Sequence, residues 1–208
     1  MLGLFLRNRQ IPFEPKTVQR ILVIRQDERI GNMLLTIPAI KLLRQSCPDA
    51  VIDGLVSEKF CRFWQIPGII DHFHFVNKKS FIRNPFGYLG FLKGLRREKY
   101  DLVIDLSSAD SISINSMLYT YFCGAKWRLD YIRDGSDTFL NLQVDRHDTH
   151  EIDILARILE PLTDGFSLPD MPFTPSKDET AFADDFLAEH EISGKPVGIN
   201  LGGRKIKR

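Results

Sequence analysis

Five strand-like runs, most of them continuously apolar and each followed by helical spacing, constrain this chain more than any other feature. They read "RILVIR" from Arg20, "AVIDGLV" from Ala50, "IDHFHFV" from Ile70, "YDLVIDL" from Tyr100 and "KWRLDY" from Lys126. A strand that is apolar on successive residues has no solvent face, so it belongs inside a sheet covered on both sides. The intervening segments supply that cover. Asn32 to Gln45 places Leu35, Ala39, Leu42 and Leu43 at helical spacing, with Pro38 expected in a first turn or at a kink. "SEKFCRFWQ" reads as a short helix capped by Ser57, and Pro85 to Lys99 as a long one. A further helix is expected from a cap at Ser107 or Ser108 to a stop at Gly124. His147 to Leu162 carries Ile152, Leu155, Ile158 and Leu159 on one face. Strands alternating with helices predict a doubly wound, Rossmann-like parallel α/β sheet.

After Gly165 the texture changes. Pro169, Pro172 and Pro175 crowd a short stretch that reads as a linker. The expected organisation is a first domain over 1–165, a linker over 166–178, and the start of a second domain over 179–208. That second unit holds a helix near Glu179–His190 and a strand in "PVGINLGG", too little for a sheet of its own.

Charge narrows the function classes. Lys and Arg number 28 against 27 Asp and Glu, a formal net charge of +1, so bulk electrostatics give no reason to expect nucleic acid. Cys47, Cys61 and Cys123 lack metal-like spacing and predict buried free thiols in a reducing, cytoplasmic setting. The five histidines, His72, His74, His147, His150 and His190, show no metal spacing with carboxylates or cysteines, so no metal site is expected. The N-terminal apolar residues precede the basic ones, unlike a secretory signal. Leu2, Leu4, Phe5, Leu6 and Arg7 either form a disordered or docked end or make a peripheral contact with the inner face of a membrane.

Ligands of open parallel sheets bind beyond the carboxyl ends of the strands. The loop Gln26–Gly31 lies at such an end and runs into a helix start, whose free N–H groups favour anions. It holds neither G-x-G-x-x-G nor G-K-[ST], so a dinucleotide fingerprint and a Walker loop are both excluded. Gly31 is there either for function or for close packing of the first helix.

These segments together resemble the heptosyltransferase family, glycosyltransferase family nine. "ILVIRQDERIGNMLLTIPAIKLLRQSCPDAVIDGLV" is similar to its opening strand, R-x-D-x-I-G-D loop and following helix. "YDLVIDLSS" resembles its Y-D-L-V-I-D-L-Q-G, "THEIDILARIL" its H-x-V-x-R-x-L helix, and "VGINLGGRKIKR" the start of its donor domain. The resemblance implies the N-terminal, acceptor-binding half of a GT-B glycosyltransferase. It implies ADP-heptose as donor, a lipid-linked lipopolysaccharide-core oligosaccharide as acceptor, and inverting transfer without a metal or other cofactor.

The resemblance also assigns roles. Asn32 occupies the position of the family's aspartate base, and the loop is one residue longer, so Asp27 or Glu28 is an alternative base. Arg25 and Gly31 fall in the same substrate-binding loop. Lys78, Lys79 and Arg83 suit a phosphorylated acceptor, and Asp105 with Ser107 either binds acceptor hydroxyls or caps a helix. Arg96 and Arg97 read as helix-end charges facing solvent. His150 matches the family helix and is expected to orient it against the sheet. Lys207, with Arg204, matches the donor phosphate site. With most of the donor half absent, the 208 residues alone are expected not to transfer sugar; the other readings are a degenerate acceptor-binding domain or another GT-B or Rossmann nucleotide-sugar protein.

Overall fold

The computed structural model describes residues 11–26, 29–59, 64–76, 84–107, 113–132, 138–146, 150–163, 165 and 175–199. The chain divides into two compact units, Met1–Asp170 and Met171–Arg208.

The first unit is built on six parallel strands: β1 (Arg20–Arg25), β2 (Val51–Ser57), β3 (His72–Val76), β4 (Leu102–Asp105), β5 (Trp127–Tyr131) and β6 (Leu142–Val144). Their order in the sheet is β3-β2-β1-β4-β5-β6. This is a doubly wound order whose direction reverses between β1 and β4, so the carboxyl ends of those two strands open onto a crevice. The central strands are buried on both faces, as their unbroken apolar runs require: Ile21, Leu22, Val23 and Ile24 are fully inaccessible, as are Leu102, Val103 and Ile104. The short β6 is a strand that hydropathy does not reveal. Its three residues are half-buried, and its two apolar side chains are too few to set a period.

Helices α1 (Ile30–Leu35), α2 (Ile37–Ser46) and α5 (Glu151–Arg157) cover one face. There Met33, Ile40, Leu43, Leu155 and Ile158 meet Ile21, Val23, Ile104 and Leu129. Helices α3 (Pro85–Arg97) and α4 (Ile114–Phe122) cover the other, through Leu92, Leu95, Tyr119 and Cys123 against Leu22, Ile24 and Val103. At about 25 cal/mol per Å² of apolar surface removed from water, this two-sided burial is the main force assembling the unit.

Several local expectations change. The single helix expected over Asn32–Gln45 is broken at Thr36, which ends α1 and caps α2. Pro38 has no N–H to return to the preceding turn, so the chain restarts there. Thr36 Oγ1 donates to the Met33 carbonyl at 2.6 Å and accepts from Trp64 Nε1 at 2.9 Å, fixing the break inside the core. The cap of α4 is Ser113, whose side chain accepts from Ser116 N, and not Ser107; Ser108 lies outside the described residues. Ser57 is the last residue of β2, and Glu58 and Lys59 directly after it are helical; residues 60–63 of the expected helix lie outside the described residues. His150 does not orient α5 against the sheet. It is exposed, and its side chain caps the helix by accepting from Ile152 N. Cys47 and Cys123 are free and buried, and Cys61 lies outside the described residues.

In the second unit α6 (Lys177–Glu189) starts at a capping box, Ser176 accepting from Glu179 N while Glu179 accepts from Ser176 N. None of its residues is buried. Residues 196–199 form no strand, contrary to the expectation for "PVGINLGG", and the described residues of the second unit hold no strand to pair with them; residues 200–203 lie outside the described residues. No helix of the described residues is long and apolar enough to cross a membrane.

Candidate functional site

At the crevice between β1 and β4 the chain buries a group of polar side chains that a plain hydrophobic core would exclude. Arg25, Gln26 and Asp105 are each nearly inaccessible. Arg25 closes β1, and its Nη1 donates to the Leu106 carbonyl just past β4. The Leu106 amide in turn donates to the Ile24 carbonyl at 2.9 Å. The guanidinium therefore ties together the two strands that flank the crevice, which is more than the sequence position shows.

Asp105 closes β4, and its Oδ1 accepts from Ser107 N at 2.9 Å, a local turn that sets the course of the loop instead of capping a helix. Ser107 Oγ lies 3.0 Å from Ser116 Oγ, so the loop is held to the buried face of α4. One residue beyond the Ile104–Leu129 pair, Asp105 on β4 stands beside Asp130 on β5. Asp130 is fully buried, and its Oδ1 accepts from Tyr131 N at 2.7 Å. Asp130, Ser116 and Gln26 are site residues that sequence reasoning missed. An aspartate closing an apolar strand, as in "WRLDY", is the signal that could have found Asp130, since it repeats the pattern of "LVID".

Asn32 is half-buried at the third residue of α1, and Gly31 is exposed just before it. A Cβ built on Gly31 would meet no atom within 4 Å, so close packing does not explain the glycine. Helix α1 has six residues, which leaves little macrodipole behind the loop. Asp27 and Glu28 lie outside the described residues, as do Lys78, Lys79, Arg83, Arg204 and Lys207. Among the described residues no cluster of His, Cys, Asp and Glu could hold a metal ion.

A second polar cluster sits toward the opposite, amino edge of the sheet. Asp53 of β2 accepts from Tyr100 Oη at 2.7 Å, contacts His72 Nδ1 at 2.9 Å and pairs with Arg20 at 3.4 Å. His74 Nε2 lies 2.8 Å from Tyr100 Oη, and Arg20 also pairs with Glu98 at 2.9 Å. Burial by itself would raise the Asp53 carboxyl. Hydrogen bonds from His74, Tyr100 and His72 outweigh it and hold the group well below the usual carboxylate range. Burial, followed by the bond to Asp53, pushes the Tyr100 phenol far up. The network ties β2, β3 and the start of β4 together. Near it a cavity of about 520 Å³ opens between Pro15–Arg20 and Ser46–Val51. The carboxyl edge is the candidate functional site nonetheless. The reversal of strand order creates a crevice there, and the buried polar groups of two adjacent strands meet at it.

This arrangement of sheet and crevice is that of a doubly wound, Rossmann-like α/β fold. No protein-family model and no curated protein matches the sequence. Among solved structures, the chain is similar to the glycosyl transferase family 9 protein from Veillonella parvula DSM 2008. The two share 20% identity over 89% of this chain and 53% of that one, with a TM-score of 0.65. It is also similar to the E. coli heptosyltransferase WaaC with ADP, at 18% identity over 74% and 49% of the two chains and a TM-score of 0.59. The same enzyme with ADP-2-deoxy-2-fluoro heptose gives 20% identity, 82% and 54% coverage and a TM-score of 0.56. The fold is therefore the α/β fold of GT-B heptosyltransferase structures, as the sequence resemblance implies. The chain spans about half the length of the structures it matches.

Proposed function

We propose that the chain is the acceptor-binding half of a glycosyltransferase that moves heptose from ADP-heptose onto a lipid-linked oligosaccharide of the lipopolysaccharide core. The observation that carries this reading is the fold likeness to heptosyltransferase structures, joined to the buried polar group at the β1–β4 crevice. In such a transfer an acceptor hydroxyl loses its proton to a base and its oxygen attacks the anomeric carbon. ADP departs from the opposite face, and the configuration inverts.

In this reading the donor, a nucleotide sugar, is held largely by the second half of the protein through Arg204 and Lys207. The acceptor rests on the first half, against Arg25, Gly31, Asp105 and Ser107, with Lys78, Lys79 and Arg83 facing its phosphates. Arg25 and Ser107 contribute by holding the crevice loops in place, since both are engaged with the opposite strand or helix.

Asn32 favours a second reading. An amide has no useful basicity at neutral pH, and loss of a general base costs about 10²–10⁴-fold in rate. Either Asp27 or Glu28 serves as base, or the chain is a catalytically degenerate domain that retains acceptor binding. Nuclear magnetic resonance titration of the isotope-labelled chain with a phosphorylated inner-core lipooligosaccharide tests the part common to both. Saturable shifts at Arg25, Asn32 and Ser107, with none at Asp53 and Tyr100, are expected. Shifts confined to the amino-edge network, or no saturable binding, would remove the acceptor assignment.

A further inference from the structure

The outer faces of α3 and α4 form an apolar surface on which the charged residues within the two helices are all basic, and the sheet does not need it for its core. On α3, Phe86 is 85% exposed and Leu89 is 60% exposed, and Lys93 and Arg97 continue the same helical stripe in solvent. On α4, Ile114 is 74% exposed and Phe122 is 41% exposed, with the half-buried Leu118 between them at helical spacing. The two helices pack side by side, Tyr119 meeting Tyr88 and Phe91 ring to ring at 5.9 and 6.0 Å. The two stripes therefore belong to one layer on one face of the sheet.

The core does not explain these residues. Leu92, Leu95, Tyr119 and Cys123 already fill the inner side of the layer. Soluble domains rarely expose a run of large apolar side chains without a partner.

The charge pattern selects the partner. Neither helix contains an aspartate or glutamate, whereas α3 carries Lys93, Arg96 and Arg97. Arg96 leans on Gly124 at the end of α4, and Glu98, just beyond α3, is engaged by Arg20. A second copy of the chain docking face to face would bring Lys93 and Arg97 of both copies into one interface with no acid in either helix to receive them. A bilayer surface with anionic headgroups fits both parts of the pattern. Apolar side chains sink to the headgroup–acyl boundary while lysine and arginine meet the phosphates.

We propose that the α3–α4 face is a docking surface for an anionic lipid membrane. The contact is distinct from one through the N-terminal Leu2–Arg7 segment, and it stands whether or not the β1–β4 crevice transfers sugar. It lies on a face of the sheet and leaves the carboxyl edge open.

Co-sedimentation of the purified chain with vesicles of phosphatidylcholine, alone and mixed with phosphatidylglycerol, tests it. The chain is expected to partition onto the mixed vesicles, to bind pure phosphatidylcholine weakly, and to release as salt is raised. Phe86→Ser with Ile114→Ser should lower the partition coefficient roughly tenfold or more, since both side chains leave the apolar boundary. Lys93→Gln with Arg97→Gln, which touches no apolar residue, should lower it by roughly tenfold on the mixed vesicles alone. Circular dichroism melts verify that each variant stays folded. Absence of binding to the mixed vesicles, or binding untouched by the Lys93 and Arg97 changes, overturns the proposal. So does a dimer in size-exclusion chromatography that the Phe86 and Ile114 changes dissociate.

Discussion

Replacing Tyr100 with phenylalanine removes one oxygen from the amino-edge network and nothing else of the ring, which is 3% exposed. That oxygen donates to Asp53 Oδ2 at 2.7 Å and lies 2.8 Å from His74 Nε2. Asp53 keeps His72 and Arg20, so its charge is not abandoned, but it loses its shortest bond. A hydrogen bond to a buried charged group contributes about 1.5–3 kcal/mol, so Tyr100→Phe should cost about 2 kcal/mol at neutral pH. For a unit of this size that is a Tm lower by about 4–8 °C.

The pH dependence has a definite sign. The folded Asp53 carboxyl lies below its unfolded value, so its contribution is full above the ordinary carboxylate range and is lost as pH falls through the folded value. The phenylalanine variant has a smaller depression and therefore less to lose. The gap between the two proteins should shrink below about pH 4, where unfolded carboxylates take up protons. Both tryptophans, Trp64 and Trp127, are buried in the first unit, so urea titration followed by intrinsic fluorescence reports on that unit. A loss below about 0.5 kcal/mol at neutral pH would refute the argument, being less than a typical hydrogen bond contributes. A gap that holds constant down to strong acid would refute it as well.

Other outcomes follow from the same structure. Gly31→Ala should leave stability unchanged or raise it by up to about 1 kcal/mol, because the site is helical and open; a chemical denaturation curve shows this. A loss of acceptor binding in that folded variant would then mark the glycine as functional. Gly124→Ala should cost about 1–2 kcal/mol by the same measurement, since Gly124 has φ +76° and a Cβ there would lie 3.2 Å from Arg96 Cγ. In a protein carrying both halves, Asn32→Asp should raise heptose transfer if the loop has lost its base, by less than the full ~10²–10⁴ of a general base. If Asp27 or Glu28 serves, Asn32→Asp should do little while Asp27→Asn or Glu28→Gln abolishes transfer. The acid limb of a kcat/KM profile separates the two cases, and three silent substitutions would end the catalytic-loop reading.

The strands β1 to β5 and the parallel, two-sided cover were legible in the sequence because burial on both faces leaves its mark on every residue of "ILVI" and "LVID". The place of the candidate site was suggested by the sequence alone, since a strand end, a glycine and a helix start follow one another along the chain. Tertiary structure alone decided what fills that place. Arg25 reads as a loop cation until Leu106, 81 residues later, supplies the carbonyl that engages it. Asp130 gains meaning from Asp105 through the β4–β5 register, and Tyr100 from Asp53 across 47 residues. The same holds for the exposed stripes of α3 and α4, which become one surface when their tyrosine and phenylalanine rings pack. Local periodicity records which side of an element is dry. Pairing between elements is set by register and packing across the sheet, and neither leaves a local signature in the chain.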